Sequence, residues 1–240
     1  MSEICSYNYK FKTASFDIGV GAKLRLSALL KYQEQAGEEH LANDFSLDYL
    51  TLAKSGVVFV LTNTAVKIHR LPTFHENITI DTWNKQTKGF KFFRGYDWYD
   101  EKGEKIIESV SAFVLVSATE HKIMRPNAFP VNLPKENREN AVENPIKTHI
   151  PDEMSFVGSK KVLYSMLDSN NHLNNTLYAD FLVDFIDSQK AGNVKGFTID
   201  FVKEAKLDEK IEVFKAEQDG KIFIEGINNE NCCFRASIEY

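Results

Sequence analysis

One order of patterns occurs twice along this chain, namely a strand, a helix and then a series of strands. In the first copy a short strand is predicted at Tyr7–Thr13. A helix is predicted at Arg25–Ala42, because apolar residues recur there on one face. The strand patterns that follow are rich in β-branched and aromatic residues and cover Val57–His69, Ile78–Trp83, Phe90–Tyr99 and Lys105–Ser117.

The second copy begins with a strand pattern at Lys160–Tyr164 and a helical pattern at Leu173–Ser188. Its further strand patterns cover Gly196–Lys203, Lys210–Ala216, Lys221–Ile227 and Cys232–Tyr240. Two local echoes support a duplication: Glu76–Ile80 resembles Glu209–Val213, and Phe16–Asp17 stands before the first helix as Leu167–Asp168 stands before the second. The sequence predicts an α+β fold with strongly curved antiparallel strands around one helix in each repeat.

The stretch Met124–Glu153 is polar and carries several prolines without sustained periodicity. A loop of this length is unusual inside a compact domain, so we place a boundary within it. The predicted organisation is an N-terminal repeat at 1–125, a linker at 126–155 that wraps the surface, and a C-terminal repeat at 156–240.

Charge and composition exclude several classes of protein. A net charge of −5 argues against general nucleic-acid binding. The three cysteines form neither a disulfide framework nor a metal-binding spacing. Residues 1–5 lack the basic region and the following apolar run that are typical of a signal peptide. No apolar run approaches the ~20 residues of a membrane helix. These features together predict a cytoplasmic protein.

The polar run at the start of the second helical pattern is the strongest functional signal. A cap needs a single polar side chain, whereas this run supplies a carboxylate, an imidazole and four amides, from Asp168, Asn170, Asn171, His172, Asn174 and Asn175. A helix N-terminus carries free N–H groups that can stabilise an oxyanion, and a histidine there can orient or deprotonate a water. The first copy retains Asp17 without the histidine or the amides, so we expect the chemistry in the second half.

The run Asp168-x-Asn170-x-His172-x-Asn174-Asn175, followed by Tyr178, resembles the acyl-acyl-carrier-protein thioesterases of plants and bacteria, and the resemblance spans nearly the whole chain. A second segment of that family is matched by Asp200-Phe201-Val-Lys203-Glu204. The resemblance implies a double hotdog fold, in which each repeat is a long helix wrapped by an antiparallel sheet. It also implies a catalytic group of Asp168, Asn170, His172 and Glu204.

The chain departs from the plant pattern at Ala205, where plant members usually carry a cysteine. None of Cys5, Cys232 and Cys233 aligns with that position, which places a cysteine nucleophile in doubt. We therefore expect hydrolysis by an activated water without a cofactor or a metal. The base would be Glu204 or His172, between which the sequence does not decide, and Asn170 would hold the carbonyl oxygen. Asp168 would orient the imidazole or the Asn170 amide. Without the resemblance, Glu204 would be read as a solvated strand residue.

The resemblance places the acyl chain in the first repeat. Aromatic residues there could line a channel, although core packing is the commoner role for such residues: Phe59, Trp83, Phe90, Phe92, Phe93 and Trp98. The expected partner is an acidic acyl carrier protein, for which two basic clusters are candidates. They are Lys85, Lys88, Lys91 and Arg94, and Lys203, Lys206 and Lys210.

Other functions stay open at this point. A hydratase of the same fold would carry Asp-x-Asn-Pro-x-His, and here Asn171 replaces the proline and the spacing is shorter. An acyl-coenzyme A thioesterase would need the same hydrolytic centre, and a non-catalytic acyl-binding module would need none. The sequence fixes neither the preferred acyl length nor the oligomeric state, for which a homodimer is one option.

Overall fold

A computed structural model describes residues 6–138 and 140–240 of the chain. The first repeat contains β1 (Ser6–Lys12), α1 (Leu26–Phe45), α2 (Tyr49–Lys54), β2 (Val57–Ile68), β3 (Asn77–Asn84), β4 (Lys91–Tyr99), β5 (Lys105–Ser117) and β6 (Ile123–Met124). The second contains β7 (Ser155–Lys161), α3 (Tyr178–Asp184), α4 (Ser188–Ala191), β8 (Gly196–Phe201), β9 (Lys210–Gln218), β10 (Lys221–Asn228) and β11 (Asn231–Glu239). Short 3-10 turns lie at 15–17, 20–22, 126–128, 164–166 and 175–177.

Within the described ranges the strands form one antiparallel sheet in the order β1-β3-β4-β5-β2-β8-β11-β10-β9-β7, with β6 paired to β5. The order of the second half repeats the order of the first half outward from the β2–β8 junction. Each strand of the first repeat except β6 therefore has a counterpart at the equivalent place, for example β1 with β7 and β3 with β9. This symmetry confirms the predicted duplication and the α+β hotdog class.

The two helices share one hydrophobic core with the inner face of the sheet. The core joins Leu29 and Ala36 of α1 to Phe181 and Leu182 of α3, and it continues over both halves of the sheet. Helix α1 ends at Phe45 and is capped by Ser46, which has a left-handed backbone and donates its N–H to the carbonyl of Ala42. The periodicity at Arg25–Ala42 thus predicts this helix to within a few residues.

The second helix is shorter than its periodicity predicts. Leu173 donates its N–H to the carbonyl of Ala205 as an extended residue, and the side chain of Asn174 then caps a 3-10 turn. Helix α3 begins only at Tyr178, and Asp187 caps a separate helix, α4. The prediction of one helix over Leu173–Ser188 is wrong because side chains that bond to the local backbone interrupt it at both ends.

Three further elements differ from the prediction. The first strand of the second repeat lies at Ser155–Lys161 instead of Lys160–Tyr164, because it is a polar edge strand that contains Gly158. Helix α2 was not predicted, although Asp48 gives it an N-cap by accepting the N–H of Thr51. The short strand β6 was not predicted either.

The segment 126–155 crosses the face of the sheet opposite the helices. Arg138 lies 4.8 Å from the ring centre of Trp83 on β3, and the N–H of Thr148 donates to Asp200 on β8 at 2.6 Å. The segment therefore connects the two repeats across the outer face of the sheet, where it makes both apolar and polar contacts. The bounds at residues 125 and 155 remain a prediction.

The close packing of β4 against β3 gives a stability test. A Cβ on Gly95 would lie 2.4 Å from the fully buried ring of Trp83. Gly95→Ala should lower the free energy of unfolding by about 2 kcal/mol, because an added methyl group in a filled core forces side chains and backbone into strained positions. Denaturant unfolding measures the change.

Gly192→Ala is the matched control, because a Cβ there would meet its nearest neighbour at 3.5 Å in a helical backbone conformation. This control should stay within about 0.5 kcal/mol of the wild type. Equal stabilities of the two variants would contradict the packing described here.

Candidate active site

Residues 168–172 form a tight turn that one carboxylate holds in place. Oδ1 of Asp168 accepts the backbone N–H of Asn170 at 2.8 Å and that of His172 at 3.0 Å. The backbone N–H of Asp168 donates to the carbonyl of His172, and Asn171 adopts a φ of +63°. Asp168 thus positions Asn170 and His172 through their backbones.

The turn does not lie at the start of a helix, which corrects the prediction. The capped N-terminus in this region is formed by Asn174, whose Oδ1 accepts the N–H and the hydroxyl of Thr176. Two of the four amides in the run therefore have structural roles, Asn171 in the turn and Asn174 in the cap. The other two amides, Asn170 and Asn175, line a cavity together with His172.

The turn packs against the segment that follows β8, and this brings His172 to Glu204. The backbone of His172 pairs with that of Lys206, and Leu173 donates its N–H to Ala205. Nε2 of His172 lies 4.0 Å from Oε2 of Glu204, and their side chains are 26% and 63% exposed. The two groups face each other at a solvent-accessible position without a direct hydrogen bond.

The first repeat contains the same turn without the functional side chains. Gly19 donates its N–H to the carbonyl of Lys23 at 2.8 Å, as Asp168 does to His172. Leu24 then donates to the carbonyl of Pro72, as Leu173 does to Ala205.

This equivalence corrects the sequence echo. Asp168 corresponds to Gly19 instead of Asp17, and Asp17 accepts a hydrogen bond from Tyr32. The positions of His172 and Glu204 are held in the first repeat by a lysine and by Leu71. The turn is therefore equipped for acid–base chemistry in the second repeat alone.

Sequence reasoning missed a residue of the first repeat that reaches this turn. The hydroxyl of Tyr49, on α2, donates to Oδ1 of Asn170 at 3.0 Å. Because the amide oxygen accepts this bond, the amide nitrogen of Asn170 points away from Tyr49 and is the free hydrogen-bond donor of that side chain. The N-cap pattern Asp48-x-x-Thr51 was the available signal for α2, whereas the contact itself depends on tertiary structure.

A cavity of about 490 Å³ connects the turn to the first repeat. Its lining includes Asp168, Asn170, His172 and Glu204 on one side and residues of α1, β2, β4 and β5 on the other. Of the six aromatic residues proposed for an acyl channel, Phe59, Phe92 and Phe93 line it.

The other three aromatic residues lie elsewhere. Trp98 packs edge-on against Phe11 and Tyr32 in the core, Trp83 lies under Arg138, and Phe90 is half exposed. The core-packing interpretation holds for both tryptophans.

A carboxyl group of α1 faces the same cavity. Burial among protein atoms raises the pKa of Glu34, and the nearby carboxylates of Glu38 and Asp168 raise it further. Solvent still reaches the Glu34 side chain from within the cavity. The acidic groups of the site therefore influence each other across the space between α1 and the turn.

The cysteines lack the properties of a nucleophile. Burial raises the pKa of Cys233 to about 11, and burial together with Glu225 raises that of Cys232 to about 12. Cys233 is 1% exposed although it borders the cavity, and Ala205 is fully buried. Cys5 lies outside the described residues. A thiol must be deprotonated to attack, so neither described cysteine suits that role near neutral pH.

Among the residues that the structure describes, no three His, Cys, Asp or Glu side chains gather closely enough to hold a metal ion. Nor does any helix in residues 6–138 and 140–240 have the length and apolar character required to cross a membrane.

The raised thiol pKa values predict slow alkylation. In a Cys5→Ser variant at about pH 8, Cys232 and Cys233 should react with a thiol reagent roughly 100-fold more slowly than a free thiol. The rate should keep rising between about pH 8 and 10, because the thiolate forms only above the raised pKa. Rapid labelling of the folded protein at pH 8, at the rate of a urea-unfolded control, would contradict this.

Two family models match this chain, one in each half. The family model for the acyl-ACP thioesterase N-terminal domain matches residues 5–127, and that for the C-terminal domain matches residues 150–238. Oleoyl-acyl carrier protein thioesterase 2 of Arabidopsis thaliana is 23% identical over 88% of this chain, and an acyl-[acyl-carrier-protein] hydrolase of Cuphea viscosissima is 21% identical over 90%. The chain spans 63% and 56% of the lengths of these relatives.

Solved structures share the fold over nearly the whole chain. An acyl-ACP thioesterase from Bacteroides thetaiotaomicron matches with a TM-score of 0.88 at 18% identity, covering 98% of this chain and 97% of that one. A 12:0-ACP thioesterase from Umbellularia californica matches with a TM-score of 0.74 at 18% identity, covering 98% and 96%. Because both family models match in order and together cover most of the sequence, the chain belongs to the acyl-ACP thioesterase family.

Proposed function

We propose that this protein hydrolyses the thioester of a fatty acyl group on acyl carrier protein and releases the free fatty acid. The observation that carries the proposal is a single cavity that joins the His172–Glu204 pair to apolar residues of the first repeat. A thioester at the turn could place its acyl chain in that cavity. In this scheme residues 1–125 hold the chain, 126–155 act as a linker and 156–240 carry the hydrolytic group.

A water at the turn would serve as the nucleophile. The 4.0 Å gap between His172 and Glu204 leaves both groups free to accept a hydrogen bond from such a water, and either could take its proton. Oδ1 of Asn170 accepts the hydroxyl of Tyr49, which leaves the amide nitrogen of Asn170 positioned to donate to the carbonyl oxygen as negative charge develops there. Asp168 would act as a positioning residue, because its carboxylate holds the turn.

The basic residues favour a protein carrier over coenzyme A. Lys203, Lys206 and Lys210 are exposed next to Glu204, and the exposed apolar side chains of Val202 and Leu207 lie among them. An acidic carrier could bind both the charges and the apolar groups of this surface.

The alternative cluster, Lys85, Lys88, Lys91 and Arg94, is weaker. Arg94 is buried and Lys91 donates to Asn63, which corrects the interpretation of this group as a surface patch.

A cytoplasmic location belongs to this proposal as well. The curated relatives named above are chloroplastic proteins.

Removing either candidate base should abolish most of the activity. We expect His172→Ala and Glu204→Ala each to lower kcat on acyl-carrier-protein thioesters by ~10²-fold or more, because the water would lose its proton acceptor. Thiol release measures the rate. Rescue by added imidazole in His172→Ala, or by added formate in Glu204→Ala, would identify which of the two residues accepts the proton.

The matched control is Glu104→Ala, which removes an exposed carboxylate in the turn between β4 and β5, away from the cavity. It should retain the wild-type rate, and circular dichroism should show all three variants folded. Wild-type turnover in both active-site variants would overturn the scheme.

Charge reversal near the turn should distinguish the carrier. Lys203→Glu combined with Lys206→Glu should raise KM for acyl-carrier-protein substrates about tenfold, because like charges would oppose docking. Short thioester analogues that lack the carrier should be hydrolysed with unchanged KM. Steady-state kinetics on both substrates measures the difference.

Lys10→Glu combined with Lys12→Glu changes the net charge equally on the exposed far edge strand β1, and it should affect neither substrate. Equal effects of the two double variants would show that no specific docking surface lies beside Glu204. A faster reaction with acyl-coenzyme A than with the carrier protein would favour the alternative substrate.

A further inference from the structure

The inner face of the first-repeat sheet carries a polar row where an acyl pocket would be expected to be apolar. Asn84, Arg94, Ser111 and Thr64 are register neighbours on β3, β4, β5 and β2, and all four line the cavity. The corresponding row of the second repeat consists of buried apolar residues on its three central strands, namely Phe197, Ile238 and Ile222. The polar row is therefore a property of the repeat that contains the cavity.

Arg94 is a buried cation whose described partners are neutral. Its side chain is 6% exposed and donates to Nδ1 of His40 at 2.8 Å, to Thr82 at 3.3 Å and to Oδ1 of Asn84 at 2.9 Å. Burial and the charge of Arg94 lower the pKa of His40 to about 3, so this imidazole is neutral. The carboxylate of Asp44 lies behind this imidazole, with Oδ2 3.5 Å from Nε2 of His40, and it makes no direct ion pair with Arg94. A buried charge is costly unless an anion or further hydrogen bonds compensate it.

A second buried group lacks a partner nearby. Gln33 on α1 is 3% exposed and donates through Nε2 to Ser109. Its Oε1 has no hydrogen-bond partner among the described residues, and Gln33 lines the same cavity. Oε1 of Gln33 is itself inaccessible to solvent, so the donor that this wall offers is Arg94. The purely apolar tail of a fatty acid could not use such a donor.

The polar row lies far from the thioester site. Strand β4 is three strands from β8, after which Glu204 follows, and three strand spacings amount to ~14 Å. Lys85 and Lys135 line the cavity on the same side as Arg94, whereas Glu34 and Glu38 line it from α1. A ligand group that meets the row would be well removed from the reacting carbonyl.

We propose that Arg94 forms a subsite for an oxygen atom on the acyl chain, so that the substrate is a fatty acyl thioester bearing a hydroxyl or carboxyl group remote from the thioester. The proposal rests on the proposed role of the cavity as an acyl site. Both groups accept hydrogen bonds from a guanidinium. A carboxylate would also compensate the charge of Arg94, whereas a hydroxyl would only accept a hydrogen bond from it.

The test compares acyl-carrier-protein thioesters of equal chain length with a plain, a terminally hydroxylated and a terminally carboxylated acyl chain. The wild type should prefer one oxygenated chain over the plain chain by about tenfold in kcat/KM, because hydrogen bonds to a buried charge are strong. Arg94→Met should reduce this ratio to near one. The better of the two oxygenated substrates identifies the group.

Arg138→Met is the matched control, because Arg138 lies over Trp83 on the opposite face of the sheet. It should retain the wild-type ratio. If Arg94→Met does not fold, Arg94→Lys keeps the charge but removes the planar pair of donors, and it should lower the ratio as well. A wild-type preference for the plain chain, or a preference that Arg94 variants do not change, would overturn the proposal.

Calorimetric binding of the corresponding free acids separates this proposal from the proposed hydrolysis. A protein that hydrolyses none of the thioesters but binds an oxygenated acid about tenfold more tightly through Arg94 would refute the enzyme and support the subsite. Hydrolysis of all the thioesters, with equal binding of the plain and oxygenated free acids, would support the proposed hydrolysis and refute the subsite.

Discussion

The pairing of β2 with β8 is the contact on which the rest of the structure depends. These strands join in antiparallel register from Asn63↔Asp200 to Lys67↔Gly196 and unite two half-sheets into one. Side chains continue the connection on the outer face, where Asn63 donates to Asp200 at 2.7 Å. Because the half-sheets are fused, α1 and α3 lie on the same face and share one core. A single cavity can therefore be lined by residues of both repeats.

The two repeats differ in the side chains that they bury on the inner face of the sheet. In the second repeat the inner face is filled by large apolar side chains such as Phe234 and Phe181, which pack edge-on at 5.6 Å. The first repeat instead buries Arg94, His40 and Gln33 beside open space. Buried polar groups cost stability, and a cavity loses packing contacts as well. The apolar second repeat offsets that cost through the shared core.

Much of the fold could be predicted from the sequence, because strands and the first helix follow local periodicity. Lys105–Ser117 was predicted with the bounds that β5 has, and the echo of Glu76–Ile80 in Glu209–Val213 marks the equivalent starts of β3 and β9. The prediction of the second helix was wrong because periodicity does not reveal side chains that bond to the nearby backbone, as Asn174 does.

The site was predictable in its residue types and only partly in its geometry. The density of polar groups in residues 168–175 identified the turn, and the resemblance added Glu204. The contact from Tyr49 could not be foreseen, because it joins residues 121 positions apart through tertiary structure. The burial of Arg94 had a local signal, since Arg94 alternates in phase with the inward-facing Phe92, Tyr96 and Trp98. A charge in phase with aromatic residues is better read as an inward group than as part of a surface patch.

The duplicated turn separates what the backbone supplies from what the side chains supply. Both copies close with the same backbone hydrogen bond, from Gly19 to Lys23 and from Asp168 to His172, so the geometry does not depend on the functional residues. Asp168 then adds two hydrogen bonds to backbone N–H groups, which glycine cannot make. Because Oδ1 of Asp168 accepts the backbone N–H of His172, it fixes the position of the His172 backbone. The imidazole of His172 then faces the carboxylate of Glu204, at 4.0 Å. Among the described residues, only the turn of the second repeat combines this constraint with a facing carboxylate, as the proposed hydrolysis requires.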